Sequence, residues 1–296
     1  MHSYLRAIGF SDLSRKELEQ ILEQISNNKK NMLCTERKDG SVYAEMSQNF
    51  AENIGIHIRG ELLTEQNDAF QREYYYPYFK GTQISTREST SVEKHAEKES
   101  FAGICDDVRV GVSLIFYLQN AIEYMSMYRE GMIKKYGTSV ILSALSTGGK
   151  IILPIEKTDR QIRSNKEATK NRNYLMAAAR QGDEDAIESL TLEDIDTYTM
   201  ISRRIMYEDV FSIVDSYFMP YGIESDQYSV MGNILDVAVT KNNYTQEELY
   251  ILTIDSNDLK FDVCINKKDL LGEPKIGRRF KGTIWMQGFI NFENMH

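Results

Sequence analysis

The clearest alternation lies near the end of the chain, where Leu259, Phe261, Val263 and Ile265 are apolar and Lys260, Asp262, Cys264 and Asn266 fall between them. A period of two predicts a strand with one wet face. An apolar run over residues 249–254 precedes it, and Asp255-Ser256-Asn257-Asp258 between the two supplies side chains that bond their own backbone and tolerate left-handed angles. The pair reads as a hairpin. Upstream, Tyr228, Val230 and Ile234 share one parity and Leu235, Val237 and Val239 the other, with Gly232 at the seam, which predicts a strand that bends or bulges. Downstream, Phe280, Gly282, Ile284 and Met286 alternate with Lys281, Thr283, Trp285 and Gln287, and a further run covers 210–219. Five strands in under about a hundred residues, one bent at a glycine, predict a small five-stranded barrel of the oligonucleotide/oligosaccharide-binding type, or a sandwich, over 207–296.

The first half mixes both periods. A strand is expected over residues 3–10; Ser14-Arg15-Lys16-Glu17 then fits a capping box ahead of Leu18, Ile21, Leu22 and Ile25 at helical spacing. Runs at 32–36, 42–46 and 54–58, with a turn at Asp39-Gly40, predict antiparallel strands of one sheet. Residues 70–79 are crowded with Tyr74, Tyr75, Tyr76 and Tyr78 and broken by Pro77, as at a packed sheet margin. Residues 82–100 are polar and predict a solvated strand or loop, whereas 110–125 are apolar enough for a domain centre. Strand-like runs at 138–145 and 151–155 flank Ser146-Thr147-Gly148-Gly149-Lys150, which predicts a hairpin turn. The fold class is therefore α+β, with a mostly antiparallel sheet domain and flanking helices over 1–158.

Between the two units the charge pattern changes sign. Residues 150–180 carry eight basic and three acidic side chains, and 183–196 carry seven acidic and no basic ones, with Gly182 at the break. This predicts a helical connector over 159–206, with a helix start near Thr191-Leu192-Glu193-Asp194 and its basic and acidic helices paired across the glycine.

Composition narrows the function classes. With 42% apolar residues in 296, the chain has ample material for buried cores. A net charge of -9 disfavours a general polyanion binder, so a protein partner is expected before a nucleic acid. Cys34, Cys105 and Cys264 lie far apart and away from histidines, which indicates neither a disulfide framework nor a metal site. The N-terminus lacks a signal-peptide layout, and the longest uncharged apolar run is too short to span a bilayer, so a cytoplasmic protein outside the membrane is expected.

Few constellations carry chemistry. The Ser146–Ile151 segment fails as a phosphate loop because Ile151 stands where a metal-binding hydroxyl is required. Neither a cofactor site nor a catalytic set is recognisable. Among the histidines, His57 and His95 qualify as an acid or base only where folding brings one beside a carboxylate. The remaining candidate is the basic stretch ending at the only tryptophan, with Arg278, Arg279, Lys281 and Trp285 as ligand-binding residues, because cations beside an exposed indole grip a polymer backbone and stack a ring.

Four stretches carry a likeness to a known family: MHSYLRAIGF, AAARQGDEDAIESLTLEDID, IVDSYFMPYGIESDQYSVMG and IGRRFKGTIWMQGFINF. Together they resemble a family of anaerobic Gram-positive bacteria, domain of unknown function family 3881, along nearly the whole chain. The resemblance implies no activity or ligand. Three readings follow from the residues: a cytoplasmic, non-enzymatic protein that binds a macromolecule through its C-terminal barrel; an enzyme with an inter-domain cleft using carboxylates and His57 or His95; and a homo-oligomeric scaffold joined through the tyrosine-rich run 74–79.

Overall fold

The computed structural model describes residues 1–29, 32–37, 39–63, 69–94, 100–107, 109–131, 139–156, 158–223 and 225–292. It is α+β, with a four-stranded antiparallel sheet, a helical connector and a closed five-stranded barrel. A 3-10 turn over Ser3–Ile8, where a strand was expected, leads into helix α1 (Arg15–Asn27). The reciprocal cap between Ser14 and Glu17 sets the start of α1, and Leu18, Ile21, Leu22 and Ile25 form its buried face. Strands β1 (Leu33–Glu36), β2 (Val42–Ala51), β3 (Ile54–Leu63) and β4 (Ala69–Phe79) then form the first sheet in sequence order.

The second sheet begins with β5 (Thr90–Lys94), β6 (Phe101–Cys105) and β7 (Leu114–Leu118), followed by α2 (Ala121–Arg129) and β8 (Ser139–Ile152). The connector is α3 (Asp159–Arg180), α4 (Glu184–Ile205) and the single turn α5 (Val210–Ile213). Then come β9 (Tyr217–Pro220), β10 (Gln227–Lys241), β11 (Glu248–Ser256), β12 (Leu259–Asn266), β13 (Leu270–Leu271) and β14 (Arg279–Asn291). The order β8-β12-β11-β10-β14 closes because β14 also pairs antiparallel with β8. At its far end β14 pairs with β7 and joins β5–β7 to the barrel.

Three further local expectations change. Residues 210–219 do not form one strand: they split into α5 and the edge strand β9, which pairs with β10. The fifth barrel strand is instead β8, ahead of the connector, so barrel strands lie on both sides of α3 and α4 in sequence. The expected hairpin at Gly148-Gly149 is absent, because β8 runs straight through it. Gly149 serves close approach: a Cβ there would stand 2.5 Å from the Phe280 ring. The helix start expected at Thr191 lies inside α4, where Thr191 Oγ donates to the Ile187 carbonyl; the true cap is Asp183, just after Gly182 at φ +88°.

Two apolar cores result. The barrel interior holds Tyr228, Val230, Leu252, Phe261, Val263, Phe280 and Ile284, continuous with Leu114 and Phe116 of β7. A second core fills the space between the barrel's outer wall and the first sheet, where Leu145, Leu249, Cys264 and Trp285 meet Tyr4, Leu5, Ile8, Tyr76 and Tyr117. At ~1.5–3 kcal/mol for each large apolar side chain removed from water, this second core is a principal source of stability.

Candidate functional site

The four residues expected to bind a ligand do not form one exposed surface. Trp285 is only 5% exposed: its ring lies 4.9 Å from His2, 5.3 Å from Tyr4 and 5.2 Å from Tyr117, and Nε1 donates to Asp226 Oδ2 at 2.8 Å. The physical reason is that the barrel's outward parity faces the N-terminal segment rather than water. Arg278 is half-buried and donates to the Glu273 carbonyl, and the Lys281 ammonium sits 4.4 Å over the Phe211 ring. The exposed cation–indole surface expected at the barrel is therefore absent. In the run 74–79, Tyr76, Tyr78 and Phe79 are buried within the chain, so that stretch is not an open face for a second copy.

Arg279 has a different task. Its guanidinium is buried and donates to the main-chain carbonyls of Leu153, Phe211 and Val214 at 2.6–3.0 Å. Leu153 follows the end of β8, and Phe211 and Val214 mark the return of the chain from α4. One side chain thus ties together both ends of the connector, using the forked donor geometry that lysine lacks.

The first sheet contains a buried polar cluster. Arg59 is fully buried, and its guanidinium meets the Glu45 carboxylate, Tyr74 Oη at 3.0 Å, Tyr76 Oη at 2.8 Å and the Gln119 carbonyl at 2.7 Å. His57 stands beside it, with Nδ1 3.2 Å from Glu45 Oε1. Burial pushes the Glu45 carboxyl up, but the charges of Arg59 and His57 outweigh it and hold the group at about 2. The imidazole is stacked 5.1 Å from Tyr76 and lies 4.0 Å from Tyr78. So folding does bring His57 beside a carboxylate, although that carboxylate is committed to Arg59; His95 lies outside the described residues.

The connector is the most exposed part of the described fold. Helices α3 and α4 form an antiparallel hairpin, with Arg172 of α3 contacting Asp194 at 2.7 Å and Glu193 at 3.7 Å, which is the expected pairing of basic and acidic helices. Arg180 donates to the Asp106 carbonyl and lays the hairpin's tip on the loop before β7. Ala186 is the one fully buried apolar residue described in α4, while Ile187, Leu192, Ile195, Tyr198, Met200 and Ile205 are exposed. Tyr198 is 75% exposed, and Tyr207, just past the helix, is 86% exposed. Met219 of β9, and Tyr221 and Ile223 after it, are exposed as well.

A family model described as "Domain of unknown function, E. rectale Gene description (DUF3881)" matches residues 5–288. The chain belongs to the DUF3881 family. Neither a curated protein nor a solved structure matches it.

This DUF3881 chain carries two candidates that lie outside the stretch ending at Trp285. Glu45, His57 and Arg59 sit on the polar parity of β2 and β3, which reads as solvent-facing until a second layer is known to cover it. The hairpin surface had a readable signal, because large apolar residues recur through the acidic helix at spacings wider than the pairing with α3 needs. Among the described residues no helix is long and apolar enough to cross a membrane.

Proposed function

We propose that this DUF3881 protein acts by binding another protein through the outer surface of the α3–α4 hairpin. One observation carries the reading: six large apolar side chains of α4 lie exposed on a helix whose own packing leaves them uncovered. Monomeric proteins seldom expose contiguous apolar patches beyond a few hundred Å², and such patches mark contact surfaces. The overall negative charge favours a protein partner over a nucleic acid. A cytoplasmic setting fits the three free thiols.

The test is site-specific photo-cross-linking in the native host, with benzoylphenylalanine replacing Tyr198 or Tyr174 and, as control, Lys260, the exposed residue of β12. Adducts from the hairpin positions that disappear with Ile195→Asp are expected. Absence of adducts from both hairpin positions refutes the proposal.

A second reading, proton-transfer catalysis at His57, is favoured by its approach to Glu45. It requires a reachable imidazole. Peptide mapping after diethyl pyrocarbonate treatment decides it: native-state modification of His57 within minutes keeps the reading, and protection until unfolding removes it.

A further inference from the structure

We infer that the partner seated on α4 is a second copy of this chain, packed antiparallel across a two-fold axis. The inference rests on the protein-binding reading of the hairpin and adds the identity and geometry of the partner. A two-fold interface is self-complementary, so in an antiparallel helix pair a residue before the axis faces one about as far after it, and both must be able to pack. Four exposed apolar residues of α4 pair up in this way about Asp196, to within one position. Ile187 and Ile205 lie nine positions before and after it, and Ile195 and Tyr198 lie one before and two after. At ~100° per residue these four fall within one quarter of the helix circumference, so they form a single stripe. At ~1.5 Å per residue the stripe is about 27 Å long, enough for four layers of facing side chains. An antiparallel partner sets Ile187 against Ile205 at both ends and pairs Ile195 with Tyr198 twice near the axis.

Charge fixes the direction. The end of α4 near Gly182 is acidic, with Glu184 and Glu188 exposed, and the far end carries exposed Arg203. An antiparallel copy places Glu188 opposite Arg203 on the same flank of the stripe, twice by symmetry. A parallel copy would set acid on acid and base on base, which is unfavourable at close range. The charges therefore reject the parallel arrangement while the apolar stripe supplies the attraction.

The experiment uses the full chain. Sedimentation equilibrium from 1 to 100 µM is expected to show a species of twice 34.2 kDa. Ile195→Asp with Tyr198→Asp is expected to weaken association by more than about 100-fold. Circular dichroism should be unchanged, because both positions are exposed. Glu188→Lys and Arg203→Glu are each expected to weaken the dimer, and the double exchange in one chain to restore it, since each new lysine then faces a new glutamate. In a Cys34→Ser background, Ile187→Cys and Ile205→Cys are expected to form a disulfide-linked dimer when mixed and neither to do so alone. Self-linking of Ile187→Cys would mean a parallel pair and would overturn the geometry. A monomer throughout the concentration range would overturn the inference, and photo-adducts from Tyr198 to a protein of another mass would then show that the underlying reading survives with a different partner.

Discussion

The buried Arg59–Glu45 pair permits a worked prediction. Methionine at position 59 keeps much of the side-chain volume but removes the donors to Glu45, Tyr74, Tyr76, Tyr117 and the Gln119 carbonyl. The Glu45 carboxylate is then left buried without its guanidinium partner, and removing one partner of such a pair costs about 3–5 kcal/mol. Glu45 gives an independent figure: its carboxyl falls from 4.5 to about 2, and at ~1.4 kcal/mol per tenfold change in proton affinity its interactions contribute about 3 kcal/mol. The sign follows from the lowered folded value. The contribution is complete above pH ~4.5 and is lost as pH falls toward about 2. Urea unfolding followed by Trp285 fluorescence reads both effects, because the indole packs on Tyr117, which itself contacts Arg59. Arg59→Met should lose about 3–5 kcal/mol at pH 7, and Glu45→Gln should flatten the stability profile between pH 5 and 2. Glu45→Leu together with Arg59→Met should recover most of the loss, since an apolar pair leaves no orphaned charge. A loss below about 1 kcal/mol for Arg59→Met, or a double variant as unstable as the two single losses added, would refute the reasoning.

Other positions give sharp expectations. Trp285→Ala should cost about 3–5 kcal/mol by emptying the second core, and the native indole should emit at short wavelength and resist acrylamide quenching. Gly288→Ala should be strongly destabilising because its Cβ would lie 2.3 Å from the Phe116 ring; adding Phe116→Leu should recover part of the thermal midpoint. Arg279→Lys should fail to replace the native residue, and hydrogen exchange at α5 and β9 should accelerate, since one ammonium cannot span three carbonyls on two chain segments.

The parts legible in the sequence were those where local chemistry and tertiary packing agree. The capping box at Ser14 and the spacing of Leu18, Ile21, Leu22 and Ile25 set α1 before any partner is known. Asn257 and Asp258 both take left-handed angles in the turn joining β11 and β12, as their side chains allow, and β10 carries its irregularity between Ile234 and Asp236, close to Gly232. The misread parts turn on what alternation leaves open. It gives the two faces of a strand but not which face meets water. Trp285 and Arg59 both occupy the nominally wet parity, and both are buried because a second layer covers it. Gly148-Gly149 misleads in another way, since glycine serves a turn and a close approach equally well, and only the Phe280 ring across the barrel distinguishes the two.

The topology also explains how the apolar surface of the connector is tolerated. Because β8 pairs with β12 and β14, the barrel closes from strands on both sides of the α3–α4 insertion, and the buried Arg279 holds the two ends of that insertion together at its neck. The barrel's core is complete without the hairpin: its interior is filled by side chains from β7–β12 and β14 with a few from neighbouring segments, and α4 contributes no residue to it. Helices draw most of their stability from packing an apolar face, and α4 packs mainly along its seam with α3. Its outer stripe is thus material that folding of the barrel does not require and that solvent disfavours. A surface of that kind, carried on an insertion outside the barrel's core, is what the proposed association would cover.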